Sequence, residues 1–103
     1  MEKRKPAYSL AAIQKAFNGV NSLGLATTAS AFRGAQEAGL SRDDMITVIQ
    51  SLRVTDFIKS MTAYGDAHHW QDVYHARIHN LALYVKFTQQ PDGTYVLLSC
   101  KEK

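Results

Sequence analysis

The period of the apolar residues changes once along this chain, near Thr55, and that change constrains the fold more than any other feature. Before it the spacing is helical. Leu10, Ile13, Ala16 and Phe17 follow Ser9 as N-cap and close at Asn18-Gly19. A second helix runs through Ala31, Phe32, Ala35 and Ala38, capped by Thr27 or Thr28 and ended by Gly39. Ser41, with Asp44 three residues later, caps a third through Met45, Val48, Ile49 and Leu52. After Thr55 the period is two and β-favouring residues take over. Candidate strands are 56–64, 70–79, 81–89 and 94–100, with "QPDG" at 90–93 supplying a hairpin turn. Helices followed by strands predict an α+β fold, with three N-terminal helices packed on a mostly antiparallel β-sheet from the C-terminal half.

Residues 1–103 make one domain, since a chain of 103 residues has material for a single core. The charge is +3, with a pI near 9.1, a modest excess that suits a polyanionic partner. Lys3, Arg4 and Lys5 at one end and Lys101 and Lys103 at the other read as solvated tails, so Arg77 and Lys86 inside strands are the better clue. The single cysteine, Cys100, excludes an internal disulfide and a cysteine metal cage, and its place in a strand predicts a core thiol. "AYSLAAI" is too short and too soon interrupted by Gln14 and Lys15 for a signal or membrane segment. A cytoplasmic protein without membrane association is expected.

Strand alternation locates the chemistry. From Trp70 onward, Trp70, Asp72, Tyr74, Ala76 and Ile78 point one way, and Gln71, Val73, His75, Arg77 and His79 the other. Leu81, Leu83, Val85 and Phe87 form a core face on the next strand, leaving Ala82, Tyr84, Lys86 and Thr88 opposite. One surface would thus carry Gln, His, Arg, Tyr and Lys, the residue types that metal-free RNA cleavage needs. A 2′-hydroxyl must lose a proton, a pentacoordinate phosphate must be stabilised, and the leaving 5′-oxygen must be protonated. The plain alternative is the solvated side of a sheet. No metal or other cofactor is expected: His75 and His79 on one strand would stand roughly 13 Å apart, and His68 and His69 are expected in a loop.

"DFIKSMTAYGD", "WQDVYHARI", "LYVKFT" and the terminal "MEKR" and "KEK" together resemble the motility quorum-sensing regulator toxins of type II toxin–antitoxin systems. That resemblance implies a RelE-like fold and an endoribonuclease that cleaves messenger RNA at short GCU-like sequences without the ribosome. It also implies a cognate zinc-binding antitoxin as partner. The family's active-site lysine, glutamine and tyrosine fall on Lys59, Gln71 and Tyr84, a further basic residue falls on Lys101, and Lys86 follows Tyr84 at the family's spacing. With these, Met61, His75 and Arg77 are expected to contact RNA. Two positions depart from the pattern of a well-known member. Ile58 stands where that member has an aromatic residue, and His75 where it has an arginine, exchanging a permanent charge for a titratable one.

The expected function is a metal-independent mRNA interferase. Its rivals are a non-catalytic nucleic-acid-binding regulatory module and a degenerate toxin that only binds its antitoxin. Either Lys59 or Tyr84 is the general base, and both side chains ordinarily titrate near pH 10, so the base needs a depressed pKa. Lys86, Arg77 and Lys101 are expected to push whichever of the two is the base in that direction.

Overall fold

The computed structural model describes every residue but Tyr64, and of Ala67 and His68 the backbone alone. The described residues form three α-helices, α1 (Leu10–Ala16), α2 (Ala29–Glu37) and α3 (Arg42–Ser51), and two short 3-10 turns at Val20–Leu23 and Val54–Asp56. Five strands, β1 (Glu2–Lys3), β2 (Phe57–Ala63), β3 (Asp66–Ile78), β4 (Leu81–Gln89) and β5 (Tyr95–Glu102), make one antiparallel sheet in the order β1-β2-β3-β4-β5. The fold class is α+β, and no helix is long and apolar enough to cross a membrane among the described residues.

Local chemistry sets the boundaries. Ser41 Oγ accepts from Asp44 N while the Asp44 carboxylate accepts from Ser41 N, a capping box that starts α3. Ser9 and Thr28 cap α1 and α2 in the simpler way, each accepting an N–H three residues on. Between β4 and β5, Gly93 sits at φ 92 inside the expected turn, with Gln90 N donating to Thr94 O.

Three expectations need correction. The N-terminal residues are more than a solvated tail: Glu2 and Lys3 pair with Met61 and Ser60 as a fifth strand. β3 begins at Asp66, so His69 lies in a strand rather than a loop, with Nδ1 against the Asp66 carboxylate. The side chain of His68 and the strand end expected at Tyr64 lie outside the described residues. β3 also stops at Ile78, and His79 and Asn80 form its hairpin turn with φ 49 and 66. His79 therefore leaves the face of His75, and its Nε2 lies 3.2 Å from Asp44 Oδ1.

The core lies between the helices and one face of the sheet. Ile13, Phe17, Leu23, Met45, Val48 and Ile49 pack on Tyr74, Leu83, Val85, Phe87 and Leu97, with Tyr74 and Phe17 rings on either side of Phe87 at 6.1 and 6.0 Å. Burial, with the nearby Asp72 carboxylate, pushes the Tyr74 phenol up to about 12. Cys100 belongs to the same core, and burial pushes its thiol up to about 11. α2 closes over β5 at Gly34, where a Cβ would stand 2.9 Å from both Cys100 O and Lys101 Cβ. Ala26 and Thr28 add backbone hydrogen bonds to Leu97.

A buried carboxylate ties the N-terminus to this core. Asp72, fully buried on the helix-covered face of β3, accepts from Ala7 N at 3.1 Å, Tyr8 N at 2.9 Å and Ser60 Oγ at 2.6 Å. An ionised group can be buried only when so satisfied. Asp72→Asn would turn one acceptor oxygen into a donor facing N–H groups. It should lower the unfolding free energy by about 2 kcal/mol, read from urea denaturation; a loss below about 0.5 kcal/mol would mean that the clamp contributes little.

Candidate active site

Two β-bulges aim the side chains of the uncovered face. Phe57 lies opposite Tyr74 and Lys59 opposite Val73, so Ile58 is the extra residue. Phe57 consequently turns inward, its ring 5.6 Å from that of Tyr74, and Lys59 turns outward. Ile58, where an aromatic was noted as missing, is thus the residue that absorbs the bulge. On β5 the register shifts between Lys86–Ser99 and Phe87–Leu97, leaving Leu98 as the extra residue. Leu97 enters the core, while Ser99 and Lys101 join the open face.

Residues directly opposite in an antiparallel pair share a face, which sorts the site into rows. Lys59, Val73, Lys86 and Ser99 form one row from β2 to β5. Beside it His75, Tyr84 and Lys101 form a second, and Arg77 lies beyond them opposite Ala82. On the other side Met61 and Gln71 pair, with Glu2 opposite Met61. All eight residues singled out from the sequence, Lys59, Met61, Gln71, His75, Arg77, Tyr84, Lys86 and Lys101, therefore lie on one face. Val73 is their fully buried floor.

Within this group Tyr84 is flanked on both sides. The Lys101 ammonium lies 5.5 Å from its ring centroid and the His75 ring 6.3 Å away. Lys86 is partly desolvated, and burial together with the Lys101 charge lowers its pKa. His75 is also lowered, first by burial and then by the Lys103 ammonium.

Lys59 behaves differently from expectation. Its Nζ donates to Glu2 Oε1 at 2.8 Å, and the hydrogen bond and charge of Glu2 raise its pKa despite the cations nearby. The same contact lowers Glu2. A carboxylate at hydrogen-bond distance outweighs more distant like charges because both the Coulomb term and the hydrogen bond favour the ammonium. The lysine with the lowered pKa is Lys86, through burial first and Lys101 second.

Sequence reasoning missed Glu2, since nothing local marks a two-residue strand at the terminus. Ser99 and Lys103 were accessible to it, because alternation from the core residue Cys100 puts both on the open face. Among the described residues no three His, Cys, Asp or Glu side chains gather closely enough to share an ion.

A model of the family described as "Motility quorum-sensing regulator, toxin of MqsA" matches residues 5–102. Over 103 residues the chain is 43% identical to the mRNA interferase toxin MqsR of Escherichia coli (strain K12), with the full length of both proteins covered.

The Glu2–Lys59 pair has a direct readout. Glu2→Gln should shift the Lys59 titration to lower pH, followed by NMR at the lysine side-chain carbons, because the raising charge is gone. An unchanged titration would show that the pair does not persist in solution.

Proposed function

This chain belongs to the motility quorum-sensing regulator toxin family, and from that premise we propose that it cleaves messenger RNA on the open face of its sheet, without a metal ion. It is the endoribonuclease toxin of a toxin–antitoxin system. The finer reading is a RelE-like enzyme that acts in the cytoplasm without the ribosome at short GCU-like sequences, and that a zinc-binding antitoxin neutralises. The observation that carries the mechanism is the assembly of Lys59, Gln71, Tyr84, Lys86 and Lys101 across four adjacent strands.

Each group has a task that its surroundings suit. Lys59, held as an ammonium by Glu2, is the cation that stabilises the pentacoordinate phosphate, and Glu2 must yield it as the phosphate arrives. Its raised pKa disfavours it as the base. The 2′-hydroxyl proton goes to the neutral amine of Lys86, the lysine with the lowered pKa, directly or relayed by Tyr84. In the relay Tyr84 gives its own proton to Lys86 as it takes that of the hydroxyl. The ammonium so formed then protonates the leaving 5′-oxygen. Lys101 beside Tyr84 adds a further positive charge for the phosphate. Gln71 orients the scissile group from the adjoining row, and Met61 opposite it offers a soft apolar surface to a base.

The decisive experiment is cleavage of single-stranded RNA in excess EDTA, with products ending in 2′,3′-cyclic phosphate. Lys59→Met and Tyr84→Phe should each lose at least about a hundredfold in rate while keeping the fold by circular dichroism. Cleavage that chelation abolishes and divalent metal restores would overturn the metal-free mechanism. A folded protein inert toward RNA would favour a toxin that only binds its antitoxin.

His75 gives the site a pH dependence. In the free protein its pKa lies below the ordinary 6.5, so it is mostly neutral at pH 7. A bound phosphate raises it, and binding therefore takes up a proton. Affinity for an uncleavable RNA should be greatest below the free-protein pKa and should weaken as pH rises through it toward the higher pKa of the complex. His75→Arg should bind tightly across the range and His75→Gln weakly across it. Parallel profiles for all three proteins would remove His75 from the phosphate contact.

A further inference from the structure

β3 outlasts β2. The first residue of β2, Phe57, lies opposite Tyr74, so β3 continues from His75 to Ile78 past the end of its neighbour. The connection from α3 into β2 bends around this overhang and encloses a cleft of about 560 Å³, lined by Leu52, Arg53, Asp56, His75, Arg77 and Lys103 among others. None of the catalytic roles above uses it.

Its chemistry is cationic and half-apolar. Asp56, the carboxylate in the lining, already accepts from Arg53 N at 2.8 Å and lies 3.7 Å from the Arg53 guanidinium. It fixes the rim and partly offsets the Arg53 charge, through a pair with an exposed guanidinium that a phosphate can displace. Arg77 has no carboxylate partner among the described residues, and Lys103 stands close enough to His75 to lower its pKa. Leu52, Ala76 and Ala82 supply an apolar floor. The cleft meets the catalytic rows at His75, whose ring is 6.3 Å from Tyr84.

We propose that this cleft is a nucleotide subsite: it holds the nucleotide flanking the scissile phosphate, with Arg53 and Arg77 on the flanking phosphate and the apolar floor against the base. The inference rests on cleavage occurring at the Tyr84 row. A cavity of this size accommodates one nucleotide, planar guanidinium groups suit phosphate oxygens, and a stretch of β3 edge without a partner strand offers backbone groups to a base. The subsite extends recognition beyond the catalytic face and makes the flanking nucleotide a determinant of where the enzyme cuts.

The test compares a long RNA, with several nucleotides on both sides of the cut, against a minimal RNA that cannot reach the cleft. Wild type should show a KM for the long RNA at least about tenfold lower. The variant Arg53→Gln should shrink that difference at least about threefold with kcat for the long RNA within about twofold. Its salt dependence of binding should fall by about 0.7 in log–log slope. Retention of the full wild-type preference by the variant would overturn the subsite, as would an equal loss of kcat on both RNAs. Binding of the same RNAs with 2′-deoxyribose at the cut site reads the subsite without cleavage. An inert wild type that prefers the long RNA, and whose Arg53→Gln variant prefers it less, would refute the activity and keep the subsite.

Discussion

The Asp72 carboxylate is the constraint on which the rest of this molecule depends. Fully buried, it is stabilised by N–H groups of Ala7 and Tyr8 and by the Ser60 hydroxyl, and each of those contacts fixes a different part of the chain. The two N–H groups set the entry to α1, whose N-cap is the next residue, Ser9. They also hold the preceding segment close enough to β2 for Glu2 and Lys3 to pair with it. Glu2 is thereby brought to Lys59. A carboxylate buried on the core face thus helps fix the backbone from which Glu2 reaches a lysine on the opposite, open face.

The sheet separates structure from chemistry by its pleat. One face carries Tyr74, Leu83, Val85 and Phe87 into the helices, and the other gathers cations that a purely structural sheet would have no reason to crowd. Burial first and a neighbouring ammonium second lower the pKa of Lys86 and of His75 on this face. On the proposed function, an incoming phosphate would relieve the repulsion among the lysines. The bulges at Ile58 and Leu98 serve the same separation, each spending one residue so that Phe57 and Leu97 turn inward while Lys59 and Lys101 turn outward.

Much of this was legible in the sequence because it depends on short-range periodicity. Alternation along residues 70–78 and 81–88 placed His75, Arg77, Tyr84 and Lys86 together before any register was known, and Ser41 with Asp44 announced the start of α3. Lys59 and Met61 came to the same face only through the family resemblance, since the bulge at Ile58 breaks the alternation that links them to Phe57. Long-range facts were illegible. A two-residue strand at the N-terminus has no periodicity, and the raised pKa of Lys59 follows from that strand. The hairpin turn at His79 and Asn80 was hidden because neither residue is glycine, although Asn tolerates the left-handed region well.

The central claim is that RNA lies across the open face of the sheet, and amide and side-chain chemical-shift mapping with an RNA carrying 2′-deoxyribose at the cut site tests it most directly. Shifts should concentrate at Lys59, Gln71, His75, Tyr84, Lys86 and Lys101, with α1 and the buried residues of α3 undisturbed. Shifts confined to the helical layer, with those six residues unmoved, would contradict the account.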